Sequence, residues 1–252
     1  MTRSLASLVL CLSLTVPAAA DHHEGEADGV VTLFDGESLE GWEGDERFWR
    51  VEEGAIVGQT TTDNAAEQNT FLIYRGGEFD DFVLSLEYQV EGFNSGVQYR
   101  SRQVGEPEAF SVAGMQCDFE ARWHEADEAR VDKFSGMVFE EQGRMFLAQR
   151  GQMVRVTAGD DPKKPAITQL ASLGEAAELE TLVDRDGWTS LQVVADGHSL
   201  THCLGGRVVA AAIDDDPAAA TSGLIALQLH SGPPMTIRVR NITVRPLHGD
   251  DD

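Results

Sequence analysis

Asn94, Gln98 and Arg100 fall on one face of an alternating stretch, Asn94-Ser95-Gly96-Val97-Gln98-Tyr99-Arg100-Ser101. Two later stretches repeat the pattern: Gln116 and Asp118 oppose Met115, Cys117 and Phe119, and Gln228 and His230 oppose Ile225, Leu227 and Leu229. A half-buried strand ordinarily turns apolar residues inward and small polar ones outward. Here the outward positions carry large amides, a guanidinium, a carboxylate and an imidazole, and the small residues Ser95 and Gly96 leave room for close approach. Such a surface can hold hydroxyl groups and move protons. The segment from Phe134 to Arg144 adds Glu140 and Glu141 where a strand meets a turn, readable as site acids or as a solvated turn.

Other residues allow two readings. His230 is an acid–base group or a hydrogen-bonded structural histidine; the following Ser231-Gly232-Pro233-Pro234 fits the rim of a site. Trp123 is a stacking platform or a core residue. His124 and His202 read as structural or surface residues. No Gly-x-Ser-x-Gly elbow, His-Glu-x-x-His helix, phosphate loop or Cys-x-x-Cys pair occurs. Asp118-Phe119-Glu120 only loosely echoes the Glu-x-Asp-x-x-Glu strand of retaining glucanases, so direct two-carboxylate hydrolysis of an ordinary glycoside has little support.

The elements that must carry these residues are mostly strands. Val30 to Phe34, Trp49-Arg50-Val51 with Ala55 to Gly58, Thr70 to Tyr74 and Phe82 to Val90 read as strands and a hairpin. Leu191 to Ala195, an Asp196-Gly197 turn of the type-I′ kind and His198 to Leu204 form another hairpin. Arg207 to Ile213 and Ile237 to Val244 complete the alternation. Only Leu170 to Val183 looks helical. Short strands at regular spacing with Gly- and Asp-rich turns predict an all-β, two-sheet antiparallel sandwich with one short helix.

Met1-Thr2-Arg3, an apolar run from Leu5 to Val16 and Pro17-Ala18-Ala19-Ala20 read as a secretory signal peptide, 1–20, cleaved after Ala20. Leu10 before Cys11 is not the small residue of a lipoprotein signal, so no lipid anchor is expected. Residues 21–29, with His22 and His23, read as a disordered acidic leader, and 30–247 as a single domain. No further apolar stretch is long enough to span a bilayer, so a secreted or periplasmic location without membrane insertion is expected. The net charge of −24, from 19 basic and 43 acidic residues, argues against nucleic acid or an anionic membrane as partner. Asp214-Asp215-Asp216 is consecutive rather than a calcium loop and reads as a solvated turn. Cys117 and Cys203 could pair in an exported protein, but Cys117 on an apolar face reads as a buried thiol.

Six ordered motifs resemble one family. Leu33-Phe34-Asp35-Gly36-Glu37-Ser38-Leu39-Glu40-Gly41-Trp42 is similar to its opening motif, and Trp49 to Gly58 to its next hairpin. Asn94 to Ser101, Gly114-Met115-Gln116 with Asp118, Ala226 to His230 with Gly232, and Arg240-Asn241-Ile242 follow in order. The family is that of the 3-keto-disaccharide hydrolase domains, and the resemblance implies a concanavalin-like jelly roll. Thr189 stands where the family usually has Asn, and Gly205-Gly206 where it has Asn-Gly. The segment from Phe134 to Arg150 is similar to only part of the family.

The resemblance implies cleavage of glycosides already oxidised at C3. A C3 ketone acidifies the C2 proton; a base removes it, and the C1 leaving group departs by β-elimination, with water adding later. Lyase and hydrolase outcomes stay open. The implied roles are Asp118 or Glu141 as base, His230 as acid and Arg100 at the enolate, with Asn94, Gln98, Gln116, Trp123 and Gln228 holding an oligosaccharide or glycoside. A divalent metal on Asp118 or Glu141 with His230 is the alternative electrophile. The competing readings are a non-catalytic, lectin-like carbohydrate-binding module and a structural domain of an exported assembly.

Overall fold

The computed structural model describes residues 29–121 and 134–248. Trp123, His124, the signal segment and all but the last residue of the leader lie outside them. Period-two alternation builds nearly everything. The strands are β1 (Val31–Thr32), β2 (Trp42–Glu43), β3 (Trp49–Glu52), β4 (Ala55–Gln59), β5 (Thr70–Tyr74), β6 (Phe82–Glu91), β7 (Asn94–Val104), β8 (Ser111–Glu120), β9 (Val138–Glu141), β10 (Met145–Ala148), β11 (Gln152–Asp161), β12 (Lys164–Ser172), β13 (Thr189–Asp196), β14 (Ser199–Leu204), β15 (Arg207–Asp214), β16 (Leu224–Leu229) and β17 (Thr236–Pro246). Among the described residues α1 (Ala176–Glu180) is the one α-helix.

These strands form two sheets. A ten-stranded sheet runs β12-β11-β15-β14-β13-β6-β17-β4-β3, with β1 also on β17; a seven-stranded sheet runs β10-β9-β8-β7-β16-β5-β2. Their pairings are antiparallel except β11 with β15. The all-β jelly-roll sandwich with one short helix read from the sequence is therefore the fold. The inner positions of β7, β8 and β16 (Val97, Tyr99, Met115, Cys117, Phe119, Ile225, Leu227, Leu229) meet those of β6, β13 and β17 in one buried cluster. Tyr88 stacks on Phe119 across the sheets with ring centroids 4.2 Å apart. Each large side chain so buried is worth about 1.5–3 kcal/mol. That core holds the seven-stranded sheet by one face and leaves the other free to be polar.

Three local expectations change, while the buried thiol read at Cys117 holds. The helix expected from Leu170 to Val183 shrinks to Ala176–Glu180, because Ala171 and Ser172 pair with Met153 and Gln152 of β11. Sheet pairing there outweighs helix propensity. The type-I′ turn expected at Asp196-Gly197 falls instead on Gly197-His198, because Asp196 pairs with Ser199, and it is not type I′, since only Gly197 has positive φ; Gly205 and Gly206 both do (55° and 77°) and form that turn in place of Asn-Gly. Asp214 and Asp216 are buried rather than solvated: Arg144 binds Asp214 through two hydrogen bonds of 2.8 and 2.7 Å. Cys117 and Cys203 are both free thiols, Cys117 fully buried.

Candidate active site

The outer face of the seven-stranded sheet gathers most of the residues read from the sequence. Register sets Gln98 of β7 opposite Gln116 of β8, which is opposite Phe139 of β9; Glu141 lies opposite Gly114, and Asp118 opposite Gly96. β16 flanks the other side of β7, with Ala226 opposite Gln98, and delivers Gln228 and, just past its end, His230. Asn94, Gln116, Asp118, Glu120, Glu141, Gln228 and His230 line a hollow of about 250 Å³ together with Phe93, Phe134, Phe139, Met145 and Phe146.

A chain of side-chain hydrogen bonds runs beneath and along this hollow. The Ser101 hydroxyl lies 2.8 Å from Gln98 Oε1, and Gln98 Nε2 donates to Gln116 Oε1 at 2.5 Å. Gln116 Nε2 donates to Asp118 Oδ1 at 2.5 Å and lies 3.5 Å from Gln228 Oε1. Gln228 Nε2 donates to Glu141 Oε2 at 3.2 Å, and Asn69 Nδ2 stands 3.5 Å from Glu141 Oε1. Each amide oxygen is occupied, so the –NH₂ ends face the carboxylates; the direction follows from donors meeting acceptors all along the chain. Gln98, Gln116, Asp118 and Gln228 are all buried, where an unmatched polar atom would be costly.

His230 and Glu141 have shifted acidities. Burial lowers the His230 pKa, opposed by the contact of Nδ1 with the Ser231 carbonyl at 2.6 Å. A carbonyl only accepts, so Nδ1 carries the proton and Nε2 is the acceptor nitrogen of the neutral ring. Burial raises the Glu141 pKa, opposed by the hydrogen bonds from Asn69 and Gln228. The Phe93 ring meets the imidazole edge-on with centroids 4.8 Å apart. Asn69 joins the two groups: its Oδ1 accepts from the backbone N–H of Ser231 (3.0 Å) and lies 3.2 Å from its hydroxyl.

Two expected residues sit elsewhere. Arg100 is not on this face. It has φ of +45° at a register shift between Tyr99 and Arg102, a bulge that turns its side chain away. Its guanidinium donates to the carbonyls of Asp80 (2.7 Å) and Gly197 (2.7 Å) and to Asp81 Oδ1 (2.7 Å), joining the sheets at one end. Gln98 lies under Gln116 rather than on the hollow's surface. Gly96 leaves space not for a ligand but for Gln116, since a Cβ there would come within 2.6 Å of Gln116 Cγ and Cδ. The Ser95 hydroxyl donates to the Gln228 carbonyl at 2.7 Å. Trp123 lies outside the described residues.

Sequence reading missed Glu120, although its i+2 spacing from Asp118 places it on the same face. Asn69 and the aromatic residues of β9 and β10 carry no local signal, because long-range pairing brings them in. Among the described residues of the hollow, no three carboxylate or imidazole ligand atoms lie within 4.8 Å of one another. Among the described residues, the one trio of such side chains with ligand atoms all within 4.8 Å is Asp81, Asp196 and His248. That trio lies at the Arg100 end, where Asp81 Oδ1 already accepts from Arg100 and the Gly197 N–H.

A jelly-roll sandwich carrying carboxylates, amides and a histidine on its open face has the build of a carbohydrate-active protein. The chain belongs to the 3-keto-alpha-glucoside-1,2-lyase-like domain family, whose profile it matches over residues 29–245. It is 33% identical over 87 residues to a 3-keto-disaccharide hydrolase of Bacteroides thetaiotaomicron, a match spanning 31% of this chain and 30% of that relative. Three solved structures share the fold at low identity. A protein provisionally classed as a glycosyl hydrolase from Parabacteroides distasonis has a TM-score of 0.55 at 16% identity, covering 87% of this chain and 100% of its own. A galectin-like protein of unknown function from Bacillus subtilis has 0.54 at 11%, covering 88% and 97%. The kappa-carrageenase of Pseudoalteromonas carrageenovora has 0.50 at 9%, covering 92% and 99%.

Proposed function

We propose that this protein is an exported enzyme that cleaves 3-keto-glycosides through abstraction of the C2 proton. The observation that carries the reading is the directed amide chain. It places –NH₂ donors on two carboxylates, Asp118 and Glu141, in a hollow that also holds a neutral histidine. A surface that only bound sugar would have no need of groups with displaced acidities.

The proton roles follow from those displacements and exchange the assignment expected from the sequence. His230, neutral with its Nε2 pair available, takes the proton from C2, and the C2–H electron pair forms the enolate with the C3 carbonyl. The enolate collapses to a C1–C2 double bond as the C1–O bond breaks, and Glu141, which burial favours in its protonated form, delivers a proton to the departing oxygen. Water adding across the double bond gives the hydrolysis product; release before addition gives the lyase product. Arg100 takes no part. Asn94 lines the hollow and its side-chain amide has no hydrogen-bond partner among the described residues, so it is assigned to the developing enolate oxygen. Asp118, fixed by Gln116, holds a hydroxyl of the sugar.

The test is an NMR time course in D₂O with 3-keto-glucosides and their unoxidised parents, with EDTA and with added divalent metal in parallel. Cleavage of the keto forms alone, with deuterium entering C2, is the expected result. Cleavage of the parents overturns the mechanism. Line broadening without turnover replaces the enzyme by a carbohydrate-binding module. Fractionation of the native host tests export, with the mature chain expected outside the cytoplasm and beginning at Asp21.

A further inference from the structure

We propose that the hairpin of β9 and β10 forms an apolar subsite for the leaving group, so that the preferred substrates carry an aromatic or similarly apolar aglycone rather than a second sugar. The inference rests on the reading above and specifies the substrate class of the same hollow.

The hollow has two unlike sides. Its floor is the amide and carboxylate network; its wall is Phe134, Phe139, Met145 and Phe146. Phe139 and Phe146 face each other across the hairpin with centroids 5.2 Å apart at 64°, and Phe134 stacks on Phe146 at 6.0 Å and 18°. Met145 and Phe146 are each 46% exposed, among the most exposed large apolar side chains of the described residues. Soluble proteins leave contiguous apolar surface open mainly where something docks.

The backbone holds this wall in place against its own preference. Met145 has φ of +67° and Gln142 has φ of +56°, both uncommon for residues with a side chain. Buried Arg144 between them donates to Glu140 and to Asp214, which fixes the hairpin to β15. Gln142 Nε2 donates to the Ser111 hydroxyl at 2.8 Å, which fixes it to β8. Unusual backbone that the surroundings enforce points to function at the residues it presents.

The composition of the wall selects the occupant. A second pyranose presents hydroxyls around its edge, and a wall built to hold one would pair them with side-chain donors and acceptors. Phe and Met offer none. The four wall side chains supply dispersion and apolar area only, which suits a ring or chain without hydroxyls. Because the wall is continuous with the floor bearing His230 and Glu141, a sugar held on the floor directs its C1 substituent against it.

The experiment compares 2-phenylethyl and methyl 3-keto-glucosides, whose alcohols are similarly poor leaving groups, so that their ratio of kcat/KM reports contact with the aglycone. The wild type is expected to favour the phenylethyl substrate by about tenfold. Phe146→Ala is expected to reduce that ratio roughly fivefold, and a ratio is independent of how much of the variant is active. Calorimetric titration with the unoxidised phenylethyl and methyl glucosides runs alongside. Turnover of both keto substrates with a ratio near one, or a preference unchanged in Phe146→Ala, overturns the subsite and leaves the proposed reaction standing. Absence of turnover with phenylethyl-selective binding that Phe146→Ala abolishes overturns the reaction and supports the subsite. Absence of both overturns both.

Discussion

Gln98 is buried, does not itself line the hollow, and should nonetheless control it through Gln116. Replacing it with leucine keeps the volume and removes the donor to Gln116 Oε1. Ser101 is not orphaned, because its hydroxyl has the Tyr99 carbonyl within 2.9 Å as an alternative. One buried acceptor, Gln116 Oε1, is therefore left without a partner, at about 1–3 kcal/mol. At about 2–4 °C per kcal/mol for a domain of this size, the melting temperature should fall by about 6 °C. Gln116 loses its anchor and with it the directed bond to Asp118, so turnover of a 3-keto-glucoside should drop by about tenfold, the scale of one charge-assisted hydrogen bond. Gln98→Glu sharpens the test. Only the protonated acid can donate to Gln116 Oε1, so the folded-state pKa of this group lies above its unfolded value of about 4.3. Its stabilising contribution is complete below that value and is lost as pH rises through the folded pKa. Thermal melts from about pH 4 to about pH 8 should show the glutamate variant converging on wild type at the acid end and diverging from it at the neutral end. A leucine variant with wild-type stability and turnover, or a glutamate variant whose melting curve tracks wild type across the range, refutes the directed chain.

Arg100→Met should destabilise the fold by about 3 kcal/mol in urea unfolding, because it strips buried contacts to Asp81, Asp80 and Gly197, while turnover per folded molecule stays at the wild-type level. A specific loss of turnover would return Arg100 to the site. His202 is fully buried against the Tyr99 hydroxyl and two carbonyls, with its pKa lowered from 6.5 to about 4. A depressed histidine contributes stability above its unfolded pKa that is lost as pH falls toward the folded one. About 3 kcal/mol should therefore disappear between pH 6.5 and pH 4, and His202→Gln should flatten that part of the unfolding profile. Asn69→Ala removes a hydrogen bond that favours the charged form of Glu141, so the Glu141 pKa should climb further and the alkaline limb of kcat/KM should move to higher pH.

Those tests separate what alternation reveals from what it hides. The strands read at Asn94–Ser101 and Gly114–Phe119 were legible because their two faces differ in kind, and the same contrast exposed Gln116, Asp118 and Gln228; Thr70–Tyr74 was legible from its β-rich composition alone. Alternation fails wherever one residue breaks the count, and Arg100 is the clear case: a single left-handed residue moved it from the polar face to the sheet junction. It is also silent on depth, so Gln98 read as a ligand contact when it is a support. Asn69 and Phe146 could not be found at all, since Asn69 meets Glu141 from 72 residues away and Phe146 reaches the hollow only because its hairpin partner Phe139 pairs with Gln116 of β8. The edge strands β10 and β12 were obscured for another reason, being short or exposed on both faces.

The bulge at Arg100 does more than relocate one side chain. Had the alternation continued, a guanidinium would lie on the face that carries Glu141, and a cation within a few ångströms would pull that carboxyl down by the usual 1–3 units. With Arg100 turned to Asp81, the influences on Glu141 are burial and two amide donors, and burial wins. The bias that burial gives Glu141 toward its protonated form, on which the proposed reaction draws, meets no opposing cation because Arg100 is elsewhere. Asn94→Lys tests this by returning a positive charge to the hollow. It should draw the Glu141 pKa back toward or below 4.5 and carry the alkaline limb of kcat/KM to lower pH, opposite in direction to Asn69→Ala. Carbon-13 titration of the Glu141 carboxyl reads the same shift without turnover. A carboxyl that titrates as in the wild type after the lysine is installed would show that charge on this face does not govern Glu141, and would break the link between the placement of Arg100 and the proton on that acid.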